Sequence, residues 1–187
     1  MESYKILNKQ KYFSGDYSII PIRDIDKFVI MKWRNEQMYH LRQSEKLNEK
    51  IQTKYFNDVV LPLFSIEFPP QILFSFMKKN KIIGYGGLVH INWFDKNAEI
   101  SFIMDTKLEK VQFKECWTIF LKLIEMVSFD ELKMHKINTY AFDLRPKLYE
   151  VLETMEYYRE ATLKEHCFFN GIYKDVVIHS KLNPHDK

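Results

Sequence analysis

Glycine and cysteine are scarce in this chain of 187 residues. With five glycines and six prolines, the composition is far from collagen-like, and no stretch has the composition of a disordered linker. The two cysteines, Cys116 and Cys167, belong to no CxxC pair and have no histidine at metal-ligand spacing. We therefore expect reduced thiols and no bound metal.

Excess charge and long apolar runs are also missing. The formal net charge is only +3, and no block of Lys and Arg alternates with aromatic residues, which argues against a nucleic-acid partner. No apolar run approaches the roughly 20 residues of a membrane span, and the N-terminus carries no apolar targeting segment. We expect a cytoplasmic protein with neither nucleic-acid nor membrane partners.

What the chain does contain is enough apolar material for one sizeable core. Hydrophobic residues make up 46% and aromatic residues 16%, which is typical of a globular protein. The length suits a single domain over residues 1–187. Because the first dozen residues show weak periodicity, we predict a loosely ordered extension over residues 1–15.

The hydrophobic pattern changes its period along the chain. Alternating and β-branched runs predict strands, and apolar residues three to four apart predict helices. Asn170-Gly171 is a strong signal for a two-residue hairpin turn. A strand–helix–strand unit in the second half predicts a parallel pair in a mixed sheet flanked by helices. The predicted order is β-α-α-β-β-β-α-β-α-β-β. The strands are at 17–23, 72–79, 81–94, 98–105, 135–142, 159–169 and 172–182. The first helix begins at Asp24 or Asp26, the next two cover 49–60 and 113–129, and the last begins at Pro146.

Three of the glycines cluster in the predicted strand over 81–94. Gly84, Gly86 and Gly87 stand where a strand normally carries side chains. Interior glycines of this kind indicate a bulge or a close approach of another group to the backbone.

Several local motifs resemble the GNAT superfamily of N-acetyltransferases, in particular its RimJ/RimL-like branch. They are "IGYGGLVHINWFDKNAEISFIM", "FDELKMHKI" and "LKEHCFFNGIYKDVVIHSKL", and the resemblance covers about residues 17–182. It implies the α/β GNAT fold, a single mixed, mostly antiparallel sheet with a central splayed parallel pair, and acetyl-CoA as co-substrate. It also implies an acyltransferase that acts as a monomer or homodimer on a primary amine.

A looser likeness connects the chain to amino-sugar N-acetyltransferases of surface-polysaccharide biosynthesis. It depends on "WRN" at 33–35 and "HINWF" at 90–94. It implies an amino sugar on a nucleotide carrier as the acceptor. Two alternatives stay open, a protein N-terminal acetyltransferase of the ribosomal-protein type and a GNAT-fold protein that has lost catalysis and only binds a ligand.

The segments that hold acetyl-CoA in the family depart here from the family pattern. The loop Q/R-x-x-G-x-G/A would place its glycines at Phe113 and Glu115, and the later N-x-x-S and YEKxGF motifs place Leu152 at the tyrosine and Glu156 at the glycine. Backbone N–H groups at a helix start can still bind a diphosphate, with lysines offsetting the glutamate. The residues expected to contact the cofactor are Ile100, Phe102, Ile103, Lys110, Phe113, Lys114, Glu115, Cys116 and Arg145.

Acetyl transfer to an amine needs a base, a group that stabilises the thioester oxygen and a proton donor for the leaving thiolate. The resemblance places the thioester beside the strand that carries Glu99, so Glu99 is the candidate base, or else a salt-bridged surface residue. Ser101 orients a water or is an ordinary strand serine. Tyr149 is the candidate acid, since a phenol pKa lies near that of a thiolate, or it packs in the core.

The acceptor pocket is predicted from residues that bind anions, sugars or protons. Arginine pairs with diphosphates, tryptophan stacks on sugars or bases, and histidine titrates near neutral pH. The alternative for Trp33 and Trp93 is that they pack in the core and bind no ligand. The alternative for His90 is a structural role, which is common for a single histidine in a strand. The predicted acceptor-binding residues are Trp33, Arg34, Asn35, His90 and Trp93. Arg42 is a further candidate for the wall of the same pocket.

Overall fold

A computed structural model describes residues 2–186 and contains one sheet of eight strands. The order is β1-β2-β3-β4-β5-β6-β8-β7, and every neighbouring pair is antiparallel except β5–β6. The predicted mixed sheet with one central parallel pair is confirmed. The strands are β1 Tyr12–Ser14, β2 Tyr17–Pro21, β3 Ile72–Lys78, β4 Lys81–Asn92, β5 Asn97–Met104, β6 Lys136–Phe142, β7 Tyr158–Phe169 and β8 Ile172–Leu182.

Helices cover both faces of the sheet. One face packs on α5 and α6, and the other packs on α1 and on the helical segment that begins with α2. Within residues 2–186, none of the helices combines the length and apolar character needed to cross a bilayer. The helices are α1 Lys27–Glu36, α2 Glu49–Tyr55, α3 Leu61–Leu63, α4 Thr106–Val111, α5 Phe113–Glu125 and α6 Pro146–Thr154, with π-helical turns at Phe56–Val60 and Met126–Glu131.

Alternation along β5 sends its side chains to two different cores. Ile100 and Phe102 belong to the core beneath α5, where the Phe102 ring stacks on Phe120 at 4.0 Å. Ile103 belongs to the smaller core beneath α1. By the two-residue period of a strand, Glu99 and Ser101 therefore lie on the α1 face.

The N-terminal segment differs from the expectation of a loose extension over residues 1–15. Tyr4, Leu7 and Tyr12 are buried, and β1 adds an edge strand to the sheet. The Tyr4 hydroxyl donates to the Leu73 carbonyl at 2.9 Å and accepts from the Leu73 N–H at 2.8 Å. Large aromatic side chains hold this segment, although their spacing matches neither a helix nor a strand.

A short helix, α4, lies between β5 and α5, where the sequence reasoning placed no element. Asp105 caps it, and the Asp105 carboxylate accepts hydrogen bonds from the backbone of Lys107 at 2.8 Å and Leu108 at 3.4 Å. Aspartate at this position is a common helix start signal, but six residues are too few to show a period. Gln112, with φ −128°, separates α4 from α5.

Helix α6 ends in a left-handed residue that is not glycine. Glu156 has φ 63°, its N–H donates to the Glu153 carbonyl, and the Tyr157 N–H donates to the Leu152 carbonyl at 2.9 Å. This is the Schellman pattern, in which glycine is favoured. Glu156 stands at the position where the sequence comparison placed a family glycine.

Replacing Glu156 with glycine is expected to raise the free energy of unfolding by about 1 kcal/mol, because a left-handed backbone is strained for a residue with a Cβ. Urea unfolding of wild-type and variant protein measures the change. The matched control is Glu153→Gly, inside the same helix, which should lower stability by about 1 kcal/mol. Equal losses in the two variants would contradict the assignment of strain to Glu156.

Candidate active site

The parallel strands β5 and β6 are paired over only three positions. The ladder joins Asn97 to Lys136, Ala98 to Ile137 and Glu99 to Asn138, and then ends. Beyond Glu99 the two strands separate, and a cavity of about 470 Å³ opens between them. Its walls include the following parts of both strands, Ile100–Ile103 and Thr139–Phe142. The sheet itself therefore creates the opening.

A second cavity of about 260 Å³ adjoins the first on the α1 face. Four residues line both cavities, namely Arg34, Gln71, Val89 and Ser101. The remaining wall of the second cavity is mostly aliphatic and aromatic, with side chains from α1, α2, β3 and β4. Two adjoining spaces, one between the strands and one beneath the helices, are suited to holding two reactants.

Glu99 is the carboxylate at the end of the strand ladder. Its side chain is 13% exposed and forms an ion pair with Arg42. Burial raises the pKa of the Glu99 carboxyl, while the charges of Arg42 and His90 oppose that rise. A carboxylate with a raised pKa in a cavity is a good candidate for a general base.

His90 reaches the same cavity from a bulge in β4. The register of β4 and β5 shifts between Val89 and Asn92, and His90 has φ 51°. A left-handed backbone is uncommon for residues other than glycine, and histidine is one of the residues that adopt it more often. The bulge places His90 on the cavity wall beside Glu99.

Two buried polar atoms on the cavity wall have no partner among residues 2–186. They are the indole N–H of Trp117, which is 4% exposed, and the hydroxyl of Thr139, which is 3% exposed. Leaving such atoms unpaired costs free energy, so buried polar groups normally have partners. Both residues lie on the wall of the cavity between β5 and β6.

Arg145 lies at the α5–α6 side of the cavity. It donates to Glu109 of α4 at 2.6 Å, and both side chains are 11% exposed. The guanidinium also stacks over the rings of Phe113 at 5.0 Å and Trp117 at 5.9 Å. Burial and the charge of Arg145 lower the pKa of neighbouring His40 to about 3, so that imidazole is neutral.

The first turn of α5 presents backbone N–H groups without a side-chain cap from Gln112. Glu115 points to β2, where the Tyr17 hydroxyl donates to it at 2.6 Å. Lys114 pairs with Glu150 of α6 at 2.6 Å. Cys116 is buried, its N–H is bonded within the helix, and burial raises its pKa to about 11.

Eight predicted residues come together around the first cavity and nine do not. Tyr149 lies outside, where its hydroxyl donates to Asp143 at 2.9 Å and its ring stacks on His179. Lys110 and Lys114 are exposed outside the cavity wall. The eight are Arg34, His90, Glu99, Ile100, Ser101, Phe102, Ile103 and Arg145.

The residues of "WRN" and "HINWF" lie in different places and make different contacts. Trp33 is 3% exposed in the core, and the Trp93 indole donates to the Pro69 carbonyl at 2.9 Å, so neither lines the cavities. Asn35 bonds both backbone groups of Leu47 at 2.8 Å and fixes the loop after α1. Only Arg34 and His90 of the predicted acceptor set reach a cavity.

Twelve further residues of the first cavity wall are not among the seventeen predicted site residues, and sequence reasoning had considered only Arg42 of them for the acceptor pocket. The loop after α1 contributes His40 and Arg42, and Arg42 lies over the Tyr140 ring at 4.5 Å. Thr139 and Tyr140 follow directly after the last pair of the β5–β6 ladder, a position that only the pairing reveals. For Trp117, the available signal was its position about one turn after the start of the predicted helix over 113–129.

Comparison with known proteins gives a match in structure alone. No protein-family model matches the sequence, and neither does any curated protein. The spermidine N-acetyltransferase of Vibrio cholerae in complex with CoA and spermine superposes with a TM-score of 0.80 at 20% identity, covering 91% of this chain and 97% of that chain. A dodecameric structure of the same enzyme gives 0.74 at 19% identity, covering 91% and 95%. The chain has the fold of the GNAT N-acetyltransferases.

Proposed function

We propose that this protein is an acetyl-CoA-dependent N-acetyltransferase that acts on a primary amine. The observation that carries the proposal is the separation of β5 and β6 immediately after Glu99, which places a carboxylate of raised pKa at a cavity between the strands. A solved structure with the same fold holds CoA. The resemblance to the RimJ/RimL-like branch belongs to the same proposal.

The residues present fit the cofactor. Acetyl-CoA supplies the acetyl group as a thioester and brings an amide-containing arm and a diphosphate. Beyond the ladder, the facing edges of Ile100–Ile103 and Thr139–Phe142 lack strand pairing to each other and can hydrogen-bond to amides. The Trp117 N–H and the Thr139 hydroxyl are buried donors without partners among residues 2–186.

The diphosphate side of the cofactor fits the start of α5. The helix N-terminus favours an anion, and Phe113, Lys114 and Glu115 contribute the backbone N–H groups of its first turn. Lys110 and Lys114 are exposed nearby in the chain. Glu115 bonds Tyr17 of β2 and Lys114 pairs with Glu150, so Lys110 is the one of the two lysines without an ion-pair partner among residues 2–186.

Glu99 accepts the proton that the acceptor ammonium must lose before its nitrogen forms the new C–N bond. Ser101 lies on the same strand face and orients the amine or a water. As the C–S bond breaks, the thiolate needs a proton, and the phenol on the cavity wall is Tyr140 rather than the predicted Tyr149. Burial raises the pKa of Tyr140, so its hydroxyl keeps the proton to give.

The first candidate for the acceptor is an amino sugar on a nucleotide, as in surface-polysaccharide biosynthesis. Arg34 on the cavity wall supports it, since arginine binds diphosphates, whereas the two tryptophans expected to stack on the sugar lie elsewhere. A protein N-terminus is the second candidate, because the mostly aliphatic second cavity suits an apolar first side chain.

Calorimetry with acetyl-CoA, followed by thiol release with a panel of amines, tests the proposal. Saturation at 100 times the Kd should add about 2.7 kcal/mol of stability, seen as a rise in Tm. Trp117→Phe removes one unpaired donor and should weaken binding about 5-fold. Binding without transfer to any amine would favour a fold that has lost catalysis. Absence of binding would overturn the proposal.

A further inference from the structure

Within the described residues 2–186, Arg34 is a guanidinium without a carboxylate partner. Its Nε donates to the Gln43 side chain at 3.0 Å and its Nη1 donates to the Tyr85 hydroxyl at 2.8 Å. No carboxylate of residues 2–186 lies within salt-bridge distance of it, and its Nη2 has no hydrogen-bond partner in that range. A half-buried cation left in this way is stabilised by a bound anion.

The two other arginines on the cavity wall form ion pairs with carboxylates of the same chain. Arg42 pairs with Glu99, and Arg145 pairs with Glu109. Arg34 is also held on two sides, because its neutral partners Gln43 and Tyr85 fix the guanidinium. The wall therefore contains a fixed positive charge that has no ion-pair partner among residues 2–186. Such a guanidinium can bind a carboxylate or a phosphate in a defined geometry.

Arg34 stands where the two cavities meet. Ser101 lines both cavities with it, and Ser101 is two residues beyond Glu99 on the same face of β5. Two residues of a strand span about 7 Å. A molecule whose amine lies at Glu99 can thus extend along this wall past Ser101 toward Arg34.

We infer that the acceptor carries an anionic group, a carboxylate or a phosphate, in addition to its amine, and that Arg34 binds this group. The inference depends on the proposed function for the amine and names the class of acceptor. Glu99 then selects the cationic end, Arg34 selects the anionic end, and the apolar second cavity takes the body of the molecule.

The same arrangement argues against a polyamine acceptor. Spermine, which the Vibrio cholerae neighbour holds, is a polycation. Here it would meet Arg34, Arg42 and Arg145, and among residues 2–186 the only carboxylate on the walls of the two cavities is Glu99. Like charges in a cavity of low dielectric disfavour each other strongly. The fold is shared with that neighbour, but this acceptor wall differs in kind from one suited to a polycation.

Calorimetry with matched probes tests the inference without depending on turnover. Glucosamine 6-phosphate is compared with glucosamine, L-methionine with L-methioninamide, and spermidine serves as the polycation. We expect at least one probe that carries an anionic group to bind at least about 10-fold more tightly than its counterpart without that group, as a charge-assisted hydrogen bond predicts. Preference for the phosphate or for the carboxylate identifies the anion.

Arg34→Gln should reduce that preference to within about 3-fold, and Arg159→Gln, an exposed arginine on β7, should leave it intact. Because the preference is a ratio, partial loss of folded protein cancels. A preference retained in Arg34→Gln, tighter binding of spermidine, or no binding of either anionic probe would overturn the inference. The panel of amines then separates the two ideas, since anion preference without acetyl transfer contradicts only the proposed function.

Discussion

Replacing Glu99 with glutamine is expected to lower kcat/KM for acetyl transfer by about 100- to 10,000-fold, the usual range for loss of a general base. Glutamine keeps the size of the side chain and can still bond to Arg42, but it cannot accept the proton. Steady-state thiol release with the identified amine measures the effect. Acetyl-CoA binding by calorimetry should stay within a few fold of wild type.

The pH dependence gives the same prediction a second readout. A base acts only when deprotonated, and burial raises the pKa of Glu99, so wild-type activity should fall at a higher pH than for an ordinary glutamate as the solution is acidified. This acidic limb of the pH–activity profile should be absent from the residual activity of Glu99→Gln. Glu67→Gln, at an exposed site away from the cavity, is the matched control. Near-wild-type turnover of Glu99→Gln across pH would remove Glu99 from the mechanism.

Replacing Gly86 with alanine is expected to lower the free energy of unfolding by about 3 kcal/mol, at the upper end of the usual cost of overpacking. A Cβ at this position would lie 2.1 Å from the Ser101 carbonyl oxygen and 2.9 Å from the Phe120 ring. Since β4 pairs with β5 there, the clash pushes directly on the cavity wall. For a chain of this size, Tm should fall by roughly 6–12 °C.

Gly15→Ala separates crowding from backbone preference. Gly15 has φ +58°, and a methyl group added to it would meet nothing within 4 Å, so alanine there should cost only about 1 kcal/mol. Thermal unfolding of the two variants is compared directly. A loss at Gly86 no greater than that at Gly15 would mean that β4 and β5 can move apart without cost, contrary to their close approach at Gly86.

Most of the sheet could be predicted from the sequence because its strands carry strong alternation or β-branched runs between turn residues. The Asn170-Gly171 turn is confirmed, with both residues in the left-handed region at φ 50° and 80°. The parts that could not be predicted lack a period. β1 has three residues, α4 has six, and the N-terminal segment is held by Tyr4 through a contact 69 positions away.

The candidate site could be predicted where it follows from the family resemblance and strand alternation and not where it depends on tertiary pairing. Glu99 is predicted from the family resemblance, which places the thioester beside this strand, and Arg34 from the likeness of "WRN". Ser101 is then added by the two-residue period of β5. The position of Tyr140 follows from the end of the β5–β6 ladder, which no local pattern encodes. Helical spacing favours Tyr149 as the acid, but the packing of α6 on β8 turns it toward His179.

The short seam between β5 and β6 also bears on cooperativity. Strands on one side of it come from residues 12–104 and strands on the other side from residues 136–182, so each half of the sheet is a continuous stretch of chain. The halves share the core beneath α5, but within the sheet only three residue pairs join them. A ligand between the strands touches both halves, so occupancy and alignment become a single equilibrium. A ligand in the gap would therefore bind at the seam where backbone pairing between the two halves of the sheet is shortest.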